Sequence, residues 1–141
     1  MKRRNNNKAL LRLLALSLTM FVLLSFSGKA LADSVIPDGA VFKGESVDKK
    51  GVKFPSTIRI ISIDNSSGDF IGEIAWTSVN SVHKIVGRIA GNTVVFKETE
   101  YIKKGRAVLN CEYAFVYDGK TLQGRWVLPY SDYGTSQYTI Q

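Results

Sequence analysis

Cys111-Glu112-Tyr113-Ala114-Phe115-Val116-Tyr117-Asp118-Gly119-Lys120-Thr121-Leu122-Gln123-Gly124-Arg125-Trp126 largely alternates apolar and polar residues on both sides of Asp118-Gly119. A period of two is that of a half-buried strand. Asp-Gly tolerates the positive φ that both central residues of a type I′ turn require, so the stretch predicts a β-hairpin. With that turn, Phe115 should oppose Leu122, Tyr113 should oppose Gly124 and Cys111 should oppose Trp126. Glu112 and Arg125 should meet on the other face.

Working outward, every apolar run after Ala40 is short, rich in Val, Ile, Phe, Tyr and Thr, and bounded by Gly, Asn, Asp or Ser. Such runs read as strands, and they predict strands at 40–46, 56–63, 70–79, 82–90, 93–99, 107–117, 120–128 and 135–140, with no helix. Two further turns can be typed. Gly91-Asn92 would set Ile89 opposite Val94 and Phe96 opposite Gly87. Asn80-Ser81 would set Trp76 opposite Ile85, Ile74 opposite Gly87 and Glu73 opposite Arg88.

Gly44, Gly72, Gly87 and Gly124 fall inside these strands, where glycine weakens pairing and marks a bend or a close approach. An aromatic ring over the bare position covers such a spot in a curved sheet, here Phe96 over Gly87 and Tyr113 over Gly124. Coiling at these points predicts one small antiparallel up-and-down β-barrel of about eight strands at 33–141, with a β-sandwich as the alternative. The expected inner face is Phe70, Ile74, Trp76, Ile85, Ile89, Val94, Phe96, Leu109, Cys111, Tyr113, Phe115, Leu122, Trp126 and Leu128.

Eight consecutive antiparallel strands with a repeated apolar-x-Gly-charged pattern resemble the small calycin-type barrels, the lipocalin and avidin architecture. The resemblance is one of layout over 40–141. Lipocalins usually show Gly-x-Trp near the first strand, where this chain has Lys43-Gly44-Glu45. The resemblance therefore implies a cup that can hold something apolar and assigns no ligand.

The leader sets the compartment. Lys2, Arg3, Arg4 and Lys8 precede an apolar run from Ala9 to Phe26, and Ala30-Leu31-Ala32 is a small-x-small cleavage site. This is the pattern of a secretory signal peptide at 1–32, cut after Ala32, giving a secreted or periplasmic protein with no membrane span after cleavage. The net charge of +7 belongs mostly to that leader, which holds six of the 19 Lys and Arg and none of the 12 acids. The near-neutral remainder excludes a nucleic-acid surface. Cys111 is the only cysteine, so the core forms without an internal disulfide.

No phosphate loop, nucleophile elbow or metal-ligand spacing is present, and no cofactor, metal site or catalytic residue is expected. His83, the only histidine, reads as a polar residue at a strand edge. Cys111 reads as an inert core thiol. Glu98 shares the face of Val94 and Phe96, opposite Ile85, and reads as a polar hook for a ligand, as one member of an acid pair with Glu100, or as a rim carboxylate that is hydrated or hydrogen-bonded to neighbouring backbone. Tyr130, Tyr133 and Tyr138, with Trp126 nearby, read as an aromatic platform or as rings packed over a barrel end. Lys103-Lys104-Gly105-Arg106 reads as a solvated basic loop.

The expectation is a non-enzymatic binding protein. It takes an apolar small molecule in the barrel or an extracellular partner protein on its aromatic rim, using Trp76, Phe96, Glu98, Tyr113, Trp126 and Tyr130. The alternatives are a structural, interaction or inhibitor module with a filled barrel, and a small hydrolase.

Overall fold

The computed structural model describes residues 35–141. The expected signal peptide and its cleavage after Ala32 lie outside the described residues. Among those described, no helix is long and apolar enough to cross a membrane.

Eight strands follow one another: β1 (Val41–Asp48), β2 (Lys53–Ile63), β3 (Asp69–Trp76), β4 (Ser81–Ala90), β5 (Thr93–Lys103), β6 (Glu112–Tyr117), β7 (Thr121–Leu128) and β8 (Asp132–Ile140), with a single 3-10 turn at Thr77–Val79. Each pairs antiparallel with the next, and β8 returns to β1, so the sheet closes on itself. The chain is an all-β, up-and-down barrel, and the sandwich alternative falls. The layout is consistent with a calycin-like barrel.

The three typed turns fared differently. Gly91-Asn92 sets Ile89 opposite Val94 and Gly87 opposite Phe96, as expected. A Cβ on Gly87 would lie 2.5 Å from Phe96 Cβ and 2.8 Å from Phe70 Cε1, so here the bare backbone is what lets two rings close over the sheet.

At the Asp118-Gly119 hairpin the expected register is wrong by two residues: Phe115 faces Gly124, Tyr113 faces Trp126 and Tyr117 faces Leu122. The cause is the Asp118 side chain. Its Oδ1 accepts the backbone N–H groups of Lys120 at 2.8 Å and Thr121 at 2.6 Å, which moves the turn one residue on. Gly119, at φ +96°, then takes the first central position that a type II′ turn reserves for glycine. A shift of two preserves which side chains face inward. Phe115, not Tyr113, covers Gly124, and Glu112 faces Val127 while Arg125 faces Ala114.

The Asn80-Ser81 turn is also corrected. The chain makes a 3-10 turn at Thr77–Val79 and places Asn80 at φ +53°. Trp76 therefore faces Ser81, Ile74 faces His83, and Phe70 faces Gly87. Glu73 pairs with Arg59 at 3.7 Å and Arg88 with Asp69 at 2.7 Å, in place of the expected Glu73–Arg88 pair. The sixth strand begins at Glu112, so Leu109 lies half-buried in the preceding loop.

Inside, the barrel is divided along its axis. At the end where β2, β4, β6 and β8 finish, Phe42, Ile60, Phe70, Val94, Phe115, Tyr117 and Leu122 are buried. Ile36 packs onto the same core. The segment carrying Ile36 is tied by Ile60 N–H to Ala40 O at 2.9 Å and Ile63 N–H to Asp38 Oδ1 at 2.9 Å. The rings contact one another in a run: Phe96 stacks on Tyr113 at 4.5 Å and lies 5.6 Å from Phe115, which Tyr138 meets edge-on at 5.8 Å. An eight-stranded barrel is just wide enough for side chains to fill, and these rings pack against one another inside it. Toward the opposite end polar groups enter the interior beside Trp76, Cys111 and Trp126. Tyr138 is fully buried, and its hydroxyl shares hydrogen bonds with Ser56 at 2.7 Å and Ser46 at 3.2 Å, while Ser46 meets Ser136 at 2.6 Å.

Candidate functional site

Four of the six candidate residues meet in that polar half. Glu98 points inward from β5 and is buried. Its Oε1 accepts Trp76 Nε1–H at 3.2 Å and the Tyr113 hydroxyl at 2.9 Å. Phe96 is the ring stacked on Tyr113. The fifth candidate, Trp126, is the cross-strand partner of Tyr113, and its indole donates to Val47 O at 3.3 Å. The burial of Glu98 excludes a hydrated rim carboxylate, and Glu100 pairs instead with Lys84 at 3.1 Å. A buried carboxylate persists only where donors meet it, and two of the donors are these rings.

His83 belongs to the cluster, which corrects its reading as a strand-edge residue. It is fully buried, and its Nδ1 lies 2.9 Å from Glu98 Oε2. The contact has the length of an ion pair without the alignment of a hydrogen bond, and His83 Nδ1, His83 Nε2 and Glu98 Oε2 have no hydrogen-bond partner. A β-bulge builds the arrangement. Ile85 faces Glu98 while the adjacent Lys84 faces Glu100, so Thr99 is the extra residue. Bulges re-aim the side chains that follow them. Here the next ring past the bulge is Tyr101, which stays exposed yet meets the buried His83 edge-on at 5.0 Å. Alternation from Ile85 back by two residues carries the signal for an inward His83.

The electrostatics of the cluster hold two of its neighbouring groups protonated. Burial first, and the charge of Glu98 second, push the Tyr113 hydroxyl well above its ordinary range. The same two causes push the Cys111 thiol up to about 12. A thiol held protonated is neither nucleophile nor metal ligand. Among the described residues no group of three or more His, Cys, Asp or Glu is placed to hold a metal ion.

The basic loop is anchored. Lys103 Nζ donates to Asn80 Oδ1 at 2.7 Å, Arg106 N–H to Val79 O at 3.0 Å, and Ala107 N–H to Ser81 Oγ at 3.1 Å. Lys104 Nζ sits 5.8 Å from the centre of the Tyr101 ring. This β5–β6 connection is tied to the β3–β4 turn, and its Ala107 packs against the core.

The three tyrosines of the expected platform part company. Tyr138 is core. Tyr130 sits at the tip of the β7–β8 connection, 87% exposed and at φ +65°. Tyr133, 59% exposed, carries Lys49 Nζ 5.6 Å from its ring centre, and the same amine lies 3.8 Å from Asp132. A rim of two exposed rings and a lysine therefore stands beside the polar end of the barrel.

On the outer wall where β7, β8 and β1 lie side by side, a depression of about 340 Å³ is lined by Glu45, Val47, Gln123, Thr135 and Gln137, together with Gly124 and Ser136. Alternation along β8 places Tyr133, Thr135 and Gln137 on one face. Their neighbours on β1 come from barrel closure, a pairing of the two ends of the domain that no local pattern encodes. Compared with known proteins, the chain matches no family model and no curated protein.

Proposed function

We propose that this chain is an exported, non-enzymatic binding protein whose barrel is a scaffold filled by its own side chains, and whose contact surface is the rim formed by Tyr130, Tyr133 and Lys49. The observation that carries the reading is Tyr130. A bulky residue in the left-handed region costs on the order of 1 kcal/mol or more and persists where the surroundings enforce it. Here the strained conformation leaves the ring 87% exposed to solvent. A fold that only packed its rings over the barrel end would bury it, and exposed Tyr is a preferred contact residue.

The run of rings from Phe96 to Tyr138 favours the partner on the rim over an apolar molecule in the interior. The calycin-like layout supports a binding role and no particular ligand. The test is capture by the immobilised mature chain from its own host's extracellular fraction, compared with a Tyr130→Ser/Tyr133→Ser variant. A partner held by the unaltered chain and lost by the variant supports the reading. Capture that survives in the variant contradicts it.

A further inference from the structure

The depression on the outer wall continues the rim. Along β8, Tyr133 is two residues from Thr135 and four from Gln137, and all three are exposed, so ring, hydroxyl and amide follow one another at intervals of about 7 Å. Gln137 faces Glu45 across the β1 ladder and Gln123 across the β7 ladder. Glu45 is itself held by Lys53 at 2.8 Å. Two amides, a hydroxyl, the Val47 side chain and a lysine-paired carboxylate thus line a depression of about 340 Å³, at the lower end of the size range of small-molecule sites.

We infer that this wall binds a carbohydrate, a neutral chain of pyranose units running from Tyr133 into the depression. The inference rests on the rim being the contact surface and adds the class of molecule recognised. Three properties of the surface match that class. A pyranose presents an apolar C–H face that stacks on an exposed tyrosine ring. Its hydroxyls each donate and accept, and the side-chain amides of Gln123 and Gln137 offer one donor group and one acceptor each in fixed relation. Sugar hydroxyls carry no charge, and the one acid lining the depression is already paired with a lysine. An apolar ligand would leave the amides without partners, at a cost of about 1–3 kcal/mol for each group buried.

The experiment is a titration of the isotope-labelled mature chain with cellohexaose, chitohexaose and laminarihexaose, followed by NMR. Saturable shifts at Gln123, Thr135 and Gln137 with at least one probe, weakened about tenfold or more by Gln137→Ala, are the expected result. Gln123→Ala serves in the same way if the first variant folds poorly. No saturable shift up to about 10 mM with any of the three, or shifts that both variants leave unaltered, overturns the carbohydrate assignment. Loss of capture in the Tyr130→Ser/Tyr133→Ser variant under that outcome would leave the rim reading standing with a protein as its partner, so the two fail separately.

Discussion

Glu98 and His83 meet inside the barrel, Oε2 to Nδ1 at 2.9 Å, with both side chains buried. Glu98 is the shared acceptor of that region, receiving the Trp76 indole and the Tyr113 hydroxyl on its other oxygen. Removing one member of such a set leaves the rest buried without partners, which costs more than the set itself contributes. Glu98→Ala should therefore destabilise the barrel by about 3–5 kcal/mol. Glu98→Gln, which keeps an oxygen for the two rings, should cost markedly less. Urea unfolding with unchanged m-values measures both, and equal losses would show that the acceptor role has been misassigned.

Gly87 lies under Phe96 and Phe70, and a Cβ there would also fall 2.1 Å from Val95 O. The obstruction is partly backbone of the neighbouring strand, which cannot swing aside as a side chain can. Gly87→Ala should cost about 3 kcal/mol or more, above the ordinary range for overpacking. A loss below about 1 kcal/mol, read from the same unfolding curves, would mean that the sheet is looser here than described.

Asp118 fixes its turn with two backbone hydrogen bonds and a third to the Thr121 hydroxyl at 2.7 Å. These N–H groups hold its carboxyl below the usual carboxylate range, Thr121 first. Asp118→Ala should cost about 1 kcal/mol, as the loss of comparable side-chain caps does, and Asp118→Asn about half as much. An alanine variant as stable as the parent would return the hairpin to a turn set by backbone alone.

Alkaline pH should weaken the fold through the buried thiol. Cys111 ionises at about 12 in the folded chain against an ordinary 9.0. Between those values the unfolded chain loses the proton and the folded one keeps it, so stability is full below pH 9.0 and falls as pH rises toward 12. The slope from this group approaches about 1.4 kcal/mol per pH unit. Tyr113 and Tyr138, both raised chiefly by burial, add to the loss above their ordinary value of 10.0. In reducing buffer, Cys111→Ala should show a shallower decline of the unfolding midpoint between about pH 9 and pH 11. Parallel curves would contradict the thiol's burial.

How far the residues foretold this depends on whether a contact is local. Gly91-Asn92 gave both its turn and the Phe96–Gly87 approach, because a two-residue loop dictates register from residues that are adjacent in the chain. Asp118-Gly119 gave the hairpin and the inward faces but not the register, since a side-chain cap outweighed the backbone preference of the dipeptide. Phe42, Ile58, Ile60 and Tyr138 line the interior without having been expected there, as no typed turn tied their strands to the rest. Leu128 and Ile89, expected inside, lie half-buried near the strand ends. The bulge at Thr99, which aligns Tyr101 with His83, depends on tertiary contacts that periodicity does not carry.

A barrel packed with its own rings, leaving recognition to its outside, requires Phe96, Tyr113, Phe115 and Tyr138 to touch one another in solution. Nuclear Overhauser spectra of the mature chain, with phenylalanine and tyrosine rings labelled, measure this directly. Cross-peaks joining Phe96 to Tyr113 and Phe115 to Tyr138 are the expected result. Rings that show no mutual contacts, and cross-peaks instead to a molecule carried within the barrel, would contradict it.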